Sequence, residues 1–457
     1  MNIALFAGEL SGDLIGGALA REIHRLDPEA HLWGLGSHSM RAEGVELLAD
    51  SATWGAIGIV EALKRVPGML LHTLPEVRRA LRERRPDAVV LIDFGAFNVP
   101  IARESRRLGL KVCYYFPPGA WRRTGRHGAE LARITDVVAT PFPWSAERFQ
   151  ALGVNAVCVG HPIVERVQPA MTREAFCNRF GMDPAHPIIG LLPGSRQHEV
   201  AHLMPVLLEA ARLLHNAIPE TQFVVAVAPS ISEEMMARYL RSQPEWGERL
   251  GEIWHEFTQE AETQVWKHVT RTAQQLTRTQ QPAYVTTGGV LLSDDTLEER
   301  EKERRRALQR RNQLGKLPPP TVLARGLTYD IMAHSDLLLT CSGTATLEAT
   351  LFATPMVILY RGSRIMEIEY RLRGIRRKVP HIGLPNILAQ QRICPELIQN
   401  EATPQAIAQH ALTLLTDMQA RQQVRNALRA LRPLLGEPGA SARTAQIVTH
   451  LARQSRP

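Results

Sequence analysis

Residues Leu337–Glu348 read LLLTCSGTATLE, and the rest of the chain is interpreted from this stretch. Leu337 to Leu339 form an apolar run that predicts a buried strand. The run stops at Ser342-Gly343-Thr344, where the pattern predicts the start of a helix. Small residues at a strand-to-helix turn let backbone N–H groups approach an anion, and the helix N-terminus adds positive potential. Glu348 stands four residues after Thr344, one turn into the helix and on the same side. A diphosphate in the turn brings the hydroxyls of an attached sugar within reach of Glu348. The same residues equally suit an ordinary turn capped by Ser or Thr. The neighbouring segments decide between the two.

Working outward, Thr321–Arg325 is a strand, followed by a helix carrying Tyr329 to Ala333, and Pro355–Tyr360 closes the strand series. Upstream, Ile188–Leu192 is an apolar strand that ends in Pro193-Gly194-Ser195-Arg196 and runs into a helix reaching about Leu214. This is a second phosphate-suited turn, now with an arginine, whose fork of donors keeps its charge. Gln222–Ala228 is the next strand.

The first third repeats the pattern. Asn2–Phe6 is a strand, Ala7-Gly8-Glu9-Leu10-Ser11-Gly12-Asp13 a glycine-containing loop, and a helix follows through Leu26. This resembles the opening of a nucleotide-binding α/β unit without being G-x-G-x-x-G, and Ser11 and Asp13 also suit a plain helix cap. His31–Gly34, Lys111–Tyr115, Val137–Thr140 and Ala156–Val159 continue the strands, and Phe116-Pro117-Pro118-Gly119 marks a turn-rich loop. Ala88–Ile92 is a buried-strand run with Asp93 at its C-terminal end, which makes Asp93 a candidate general base or a turn residue. Gly160-His161-Pro162 reads as the boundary between two halves, and His161 is either a cleft residue or a linker histidine bonded to backbone.

Three segments read differently. Ile57–His72 is apolar and flanked by Lys64 and Arg65, so it fits a core helix or a surface that meets acyl chains or a membrane. About 245–320 reads as an insertion: Trp254, Phe257, Ala261 and Val265 recur at helical spacing, and Leu297–Lys316 is densely charged. Arg361–Lys378 is basic and helical, Pro385-Asn386 falls in a loop, and Thr403 onward is Ala/Leu/Arg-rich helix.

Composition narrows the function classes. The 457 residues allow two or three domains with a large core. The five cysteines have neither C-x-x-C nor zinc spacing, which points to a reducing compartment. MNIALFAGEL lacks the basic start of a signal peptide, and no uncharged apolar run is long enough to span a membrane. A net charge of +8 points to anionic partners. With no nucleic-acid motif, phosphorylated substrates and anionic lipid surfaces rank first.

Two doubly wound α/β domains in series predict a cleft between facing strand ends. The first offers Asp93, and the second offers two phosphate-suited turns and Glu348. Transfer of a sugar from a nucleotide diphosphate needs both: oriented N–H groups with Arg196 stabilise the leaving diphosphate without a metal, and Asp93 takes the acceptor's proton.

The motifs also resemble a known family. Ala7-Gly8-Glu9 with Ser11-Gly12-Asp13, Gly36-Ser37 with Met40 and Gly44, and Gly58-Ile59-Val60-Glu61 come first. Ile92-Asp93 with Phe97-Asn98, Gly160-His161-Pro162, and Leu192–Arg196 with Glu199-Val200 follow. Ser342–Glu348 and Leu384-Pro385-Asn386 complete the series. In this order they resemble the lipid-A-disaccharide synthases, glycosyltransferases of the GT-B fold. The resemblance implies two Rossmann-like domains facing a cleft, over 1–165 and 166–430, with the charged helical insertion at 245–320 in the second. The helix over 431–457 would pack back on the first domain. It implies an inverting transfer from UDP-2,3-diacylglucosamine to 2,3-diacylglucosamine 1-phosphate (lipid X), giving a β-1,6-linked disaccharide 1-phosphate and UDP. No metal and no cofactor is implied.

By the same resemblance Asp93 is the base, Arg196 the essential arginine, Glu348 the ribose ligand and Ser342-Gly343-Thr344 the diphosphate turn. Gly8, Glu9, Ser11, Gly12, Asp13, Asn98, His161, Gly194, Ser195 and Asn386 are the further substrate-binding candidates. The Ile57–Leu71 region would contact acyl chains and the inner face of the cytoplasmic membrane, making the protein cytoplasmic and peripheral. Oligomer formation is left open.

The chain departs from the family pattern at three places. Phe94-Gly95-Ala96-Phe97-Asn98 lacks a second carboxylate, Phe116–Arg123 differs from the tryptophan-rich family segment, and the insertion is atypical. The first two flank the expected acceptor side. A UDP-sugar enzyme with another glycolipid acceptor, and a non-catalytic nucleotide-binding membrane-surface protein, are the alternatives.

Overall fold

The computed structural model describes residues 1–8, 10–51, 73–121, 123, 125–126, 128–232, 234–236, 239, 284–286, 321–362 and 381–455. The chain divides into two compact units, one of Met1–Val167 with Leu431–Pro457 and one of Gln168–Ala430.

In the first unit, seven parallel strands are ordered β3-β2-β1-β4-β5-β6-β7: β1 Asn2–Ala7, β2 His31–Gly36, β3 Glu46–Asp50, β4 Ala88–Ile92, β5 Val112–Tyr115, β6 Val137–Thr140 and β7 Ala156–Cys158. The second unit has the order β10-β11-β9-β8-β12-β13-β14. Its strands are β8 Ile188–Leu192, β9 Gln222–Val227, β10 Tyr284–Thr286, β11 Thr321–Arg325, β12 Leu337–Cys341, β13 Met356–Tyr360 and β14 Glu396–Ile398. Only the β10–β11 pairing is antiparallel among the described strands. The central strands AVVLI, IIGLL and LLLTC are buried along their whole length. Helices cover both faces of a parallel sheet, so such strands carry continuous apolar runs instead of alternating ones.

Both sheets reverse their strand order at one position. In the first, β1 pairs β4 with Ala7 opposite Ile92. In the second, β8 pairs β12 with Leu192 opposite Thr340. At such a reversal, successive connections leave to opposite sides and open a crevice outside the carboxyl ends of the strands.

The helix Ala440–Arg453 packs on the helix Leu10–Leu26 within the first unit, sharing a core of Ala445, Val448 and Ala452 with Leu19, Ile23 and Val90. Backbone there passes very close to backbone: a Cβ on Gly436 would lie 3.0 Å from the Gly160 Cα. Arg443 closes the joint, donating to the carbonyls of Val159 (2.9 and 2.7 Å), Glu437 (2.7 Å) and Pro438 (2.8 Å).

Several local expectations differ. The first helix already begins at Leu10, so Ser11, Gly12 and Asp13 lie in its first turn and not in a loop. Pro385 and Asn386 open the helix Leu384–Ala389, where proline lacks an N–H that the first turn does not need. β14 lies beyond Tyr360, so β13 does not close the sheet. Strand β10 stands inside the 245–320 block, most of which lies outside the described residues, as do 57–72 and 363–380.

Candidate active site

In the second unit, two turns leave the neighbouring strands β8 and β12 at the reversal of strand order. Pro193–Arg196 connects β8 to the helix Gln197–Ala217. Gly194 has φ +117°, and a Cβ there would lie 2.5 Å from Oε2 of Glu199. That carboxylate folds back over the turn. It accepts the N–H groups of Ser195 (3.1 Å) and Arg196 (3.2 Å), and its Oε1 holds the Arg196 guanidinium at 3.0 Å. Glu199 is buried while Ser195 is exposed. The carboxylate therefore satisfies two donors at the helix start and orients a part-exposed cation beside them.

Ser342-Gly343 connects β12 to the helix Thr344–Leu351. Gly343 has φ +155° and ψ −163°, a region that essentially only glycine occupies. Among the described residues, no atom lies within 4 Å of where its Cβ would stand. The turn is open on that side and pinned on the other. Ser342 Oγ donates to Ile382 O (2.9 Å), and Thr346 Oγ1 donates to Gly343 O (2.7 Å) while accepting from Leu384 N–H (3.3 Å). Behind them the fully buried Glu396 carboxylate accepts from Gly383 N–H (2.8 Å) and Asn386 Nδ2 (2.8 Å). Asn386 Oδ1 takes the N–H groups of Ile393 and Cys394. One turn into the helix, Glu348 is half-buried and its Oε1 accepts from the Tyr329 hydroxyl at 3.2 Å.

In the first unit the equivalent position is Ala7-Gly8 beside Asp93. A Cβ on Gly8 would overlap the Phe94 ring at 2.1 Å, so glycine is what lets that ring sit under the β1 turn. Asp93 and Phe94 both adopt left-handed backbone, with φ +50° and +43°. Asn98 Nδ2 donates to Phe6 O (3.2 Å), Ile92 O (3.0 Å) and Asp93 O (2.9 Å). Asp93 is exposed to solvent, yet protein atoms crowd around it. The resulting desolvation raises its carboxyl pKa above the usual aspartate value, against a lowering bond from the Phe94 N–H.

Other expected site residues face inward. Asp13 is fully buried, and its carboxylate accepts from the N–H groups of Ser37 (2.6 Å), Ser39 (2.9 Å) and Met40 (3.1 Å). It thus caps the start of the neighbouring helix His38–Ala42 instead of its own. His161 is packed against Phe116, Trp121 and Phe142. Its Nδ1 accepts from Ile163 N–H (3.2 Å), and burial pushes its pKa down to about 3. Glu9 lies outside the described residues. Sequence reasoning did not single out Glu199 or Tyr329 for a role. Glu199 had a usable signal in its capping-box spacing after Arg196. Tyr329 had none, because only the fold brings it to Glu348.

The two units have the architecture of solved structures with which the chain shares little sequence. The S. aureus MnaA–UDP co-structure superimposes with a TM-score of 0.54 at 10% identity, covering 99% of this chain and 96% of that one. MurG of Acinetobacter baumannii gives a TM-score of 0.50 at 13% identity, over 98% of this chain and 99% of that one. The fold is that of the GT-B class: paired Rossmann-like domains, each with its loops gathered at a reversal of strand order. The lipid-A-disaccharide synthetase family profile matches residues 3–246 and 293–450. Lipid-A-disaccharide synthase of Geobacter metallireducens is 33% identical over 455 residues, 99% of this chain and 98% of that protein. The Nitrosococcus oceani protein of the same name is 30% identical over 434 residues, 95% of this chain and 92% of the other. The chain therefore belongs to the lipid-A-disaccharide synthetase family of glycosyltransferases.

Proposed function

We propose that this chain transfers 2,3-diacylglucosamine from its UDP conjugate to the 6-hydroxyl of 2,3-diacylglucosamine 1-phosphate. The products are the β-1,6-linked disaccharide 1-phosphate and UDP. Besides family membership, one observation supports the donor assignment: two anion-suited turns, Pro193–Arg196 and Ser342–Thr344, leave adjacent strands at the same end of one sheet. The N–H groups of Gly343 and Thr344 with the Arg196 guanidinium receive the diphosphate, and Glu348, steadied by Tyr329, receives the ribose hydroxyls.

The reaction is a single displacement. The acceptor O6 forms a bond to C1 of the donor sugar as the bond from C1 to the diphosphate oxygen breaks. The diphosphate leaves with the electron pair, and Asp93 takes the O6 proton. Approach opposite the leaving group converts the α-linked donor into a β product. A carboxyl held above the usual aspartate range is a stronger base once ionised than an ordinary aspartate.

Acylated substrates place the enzyme at the inner face of the cytoplasmic membrane as a peripheral protein. Among the described residues, no helix is long and apolar enough to cross a membrane. A second reading keeps the donor and changes the acceptor. It is favoured by direct contact between the two divergent segments: a Cβ on Gly95 would lie 2.4 Å from Pro118 Cγ.

UDP release from UDP-2,3-diacylglucosamine distinguishes these readings. Release only with lipid X supports the first, and release only with another glycolipid supports the second. UDP binding without turnover on any lipid overturns both.

A further inference from the structure

Asp93 and Phe94 are consecutive non-glycine residues in left-handed backbone, a conformation that persists only when its surroundings enforce it. The enforcing contacts converge on the Asp93 main chain. Its N–H donates to Tyr115 O (3.1 Å), and its carbonyl accepts from Asn98 Nδ2 (2.9 Å) and from the Tyr114 hydroxyl (2.9 Å). Phe94 is held by its carbonyl, which accepts from Phe97 N–H (3.1 Å) and Asn98 N–H (3.0 Å). Tyr114 is fully buried in the core on one face of the sheet, among Phe97, Ile101 and Leu131. A phenylalanine would fill that volume equally well, so packing does not explain the hydroxyl. Its hydrogen bond goes to the Asp93–Phe94 peptide, one of the two units that set where the Asp93 side chain points.

We propose that Tyr114 is a positioning residue for the transfer reaction, fixing the Asp93 peptide so that the carboxylate keeps the orientation in which it meets the acceptor hydroxyl. Asn98 is the second half of the same clamp and acts through backbone, not on substrate. This inference rests on Asp93 being the base.

Tyr114→Phe removes one oxygen from a buried site and leaves the Asn98 bonds in place. Loss of one neutral hydrogen bond predicts a fall in kcat of about five- to tenfold. The KM for the UDP-sugar and the affinity for UDP stay at wild-type values, because both belong to the second unit. A carboxylate that swings away from the protein crowded around it is better hydrated, so the acid limb of the kcat pH profile moves to lower pH. A structural role alone does not move that limb.

Asp93→Asn serves as the reference. If it is inactive and Tyr114→Phe shows wild-type kcat and acid limb, the positioning role is overturned. The role is equally overturned if kcat falls only in step with melting temperature while the acid limb stays fixed. If Asp93→Asn retains wild-type turnover, the base assignment itself fails, whatever Tyr114→Phe does. In the Asp93→Asn background, adding Tyr114→Phe is expected to leave the residual rate unchanged, and a further fall of fivefold or more overturns the proposal.

Discussion

Gly343→Ala isolates what the Ser342–Thr344 turn contributes. No atom of the described residues stands within 4 Å of the new methyl, so they present no clash. The penalty comes from the backbone, which must hold φ +155° and ψ −163°, at a cost of about 1–3 kcal/mol for a residue with a Cβ. If the turn keeps its shape, the cost appears as lost stability and the methyl projects into the space reserved for phosphate. If the turn relaxes, its N–H groups point elsewhere and the cost moves to binding. At about 1.4 kcal/mol per tenfold, the relaxed case weakens UDP roughly five- to 150-fold. Calorimetric titration with UDP and a thermal melt measure the two parts. Gly109→Ala is the control: Gly109 has φ +73° and equally open surroundings, but lies in the first unit, so it should lower stability without touching UDP affinity. Gly194→Ala should damage both quantities, since its Cβ would fall 2.5 Å from the buried Glu199 carboxylate. A UDP affinity within twofold of wild type for Gly343→Ala refutes the role of this turn as the diphosphate site, whatever the melt shows.

Glu348→Gln keeps the contact with Tyr329 but removes the charge, and should weaken UDP by about tenfold while leaving 2′,3′-dideoxy-UDP unaffected; equal losses for both nucleotides refute the ribose role. Asp93→Asn should abolish turnover and leave UDP binding unchanged. The wild-type rate should fall on the acid side at a pH above the ordinary aspartate range, because the raised pKa keeps the carboxyl protonated, and unable to accept, to higher pH. His161 is neutral when folded, with its pKa depressed to about 3, whereas the unfolded chain takes up a proton near pH 6.5. Its contribution to stability is therefore complete above about pH 6.5 and falls with acid. About 2 kcal/mol is lost between pH 7 and pH 5 in denaturant titrations, and His161→Gln should flatten that slope.

The sheet interiors were legible because strands buried on both faces read as unbroken apolar runs, as in Ala88–Ile92 and Leu337–Leu339. The edges were not. β14 has three residues and opens on Glu396, whose charge is satisfied by the N–H groups of Ile382 and Gly383 and by Asn386 once the chain has folded. β3 carries charged residues, Glu46 and Asp50, at its two ends because it lies at a sheet edge. Both anion-suited turns were visible as small residues between an apolar strand and a helix. Their adjacency was not, because β8 and β12 are far apart in sequence and meet only through strand pairing. Pro385-Asn386 read as a loop although proline also marks the first turn of a helix, which is where it stands.

The hydrogen bonds sort the shared motif residues into two kinds that sequence cannot separate. Asp13, Asn98 and Asn386 are all polar, all in the first turn of a helix within a glycine- or proline-bearing stretch, and all essentially buried. Asp13 holds three N–H groups of the loop after β2, Asn98 three carbonyls around the end of β4, and Asn386 the N–H groups and carbonyl of the segment leading to β14. Each carries its donors or acceptors in the sense its loop requires. A buried polar side chain left without such partners is costly, so replacing any of the three disturbs the loop before it can affect a ligand. Ser195, Gly343, Thr344 and Asp93 are instead open to solvent, and Arg196 and Glu348 are partly so. Loss of activity on substitution therefore carries different meanings in the two sets. For the open residues it reports on substrate contact. For Asp13, Asn98 and Asn386 it reports on the loop they hold, and only a readout that separates binding from chemistry can assign them further.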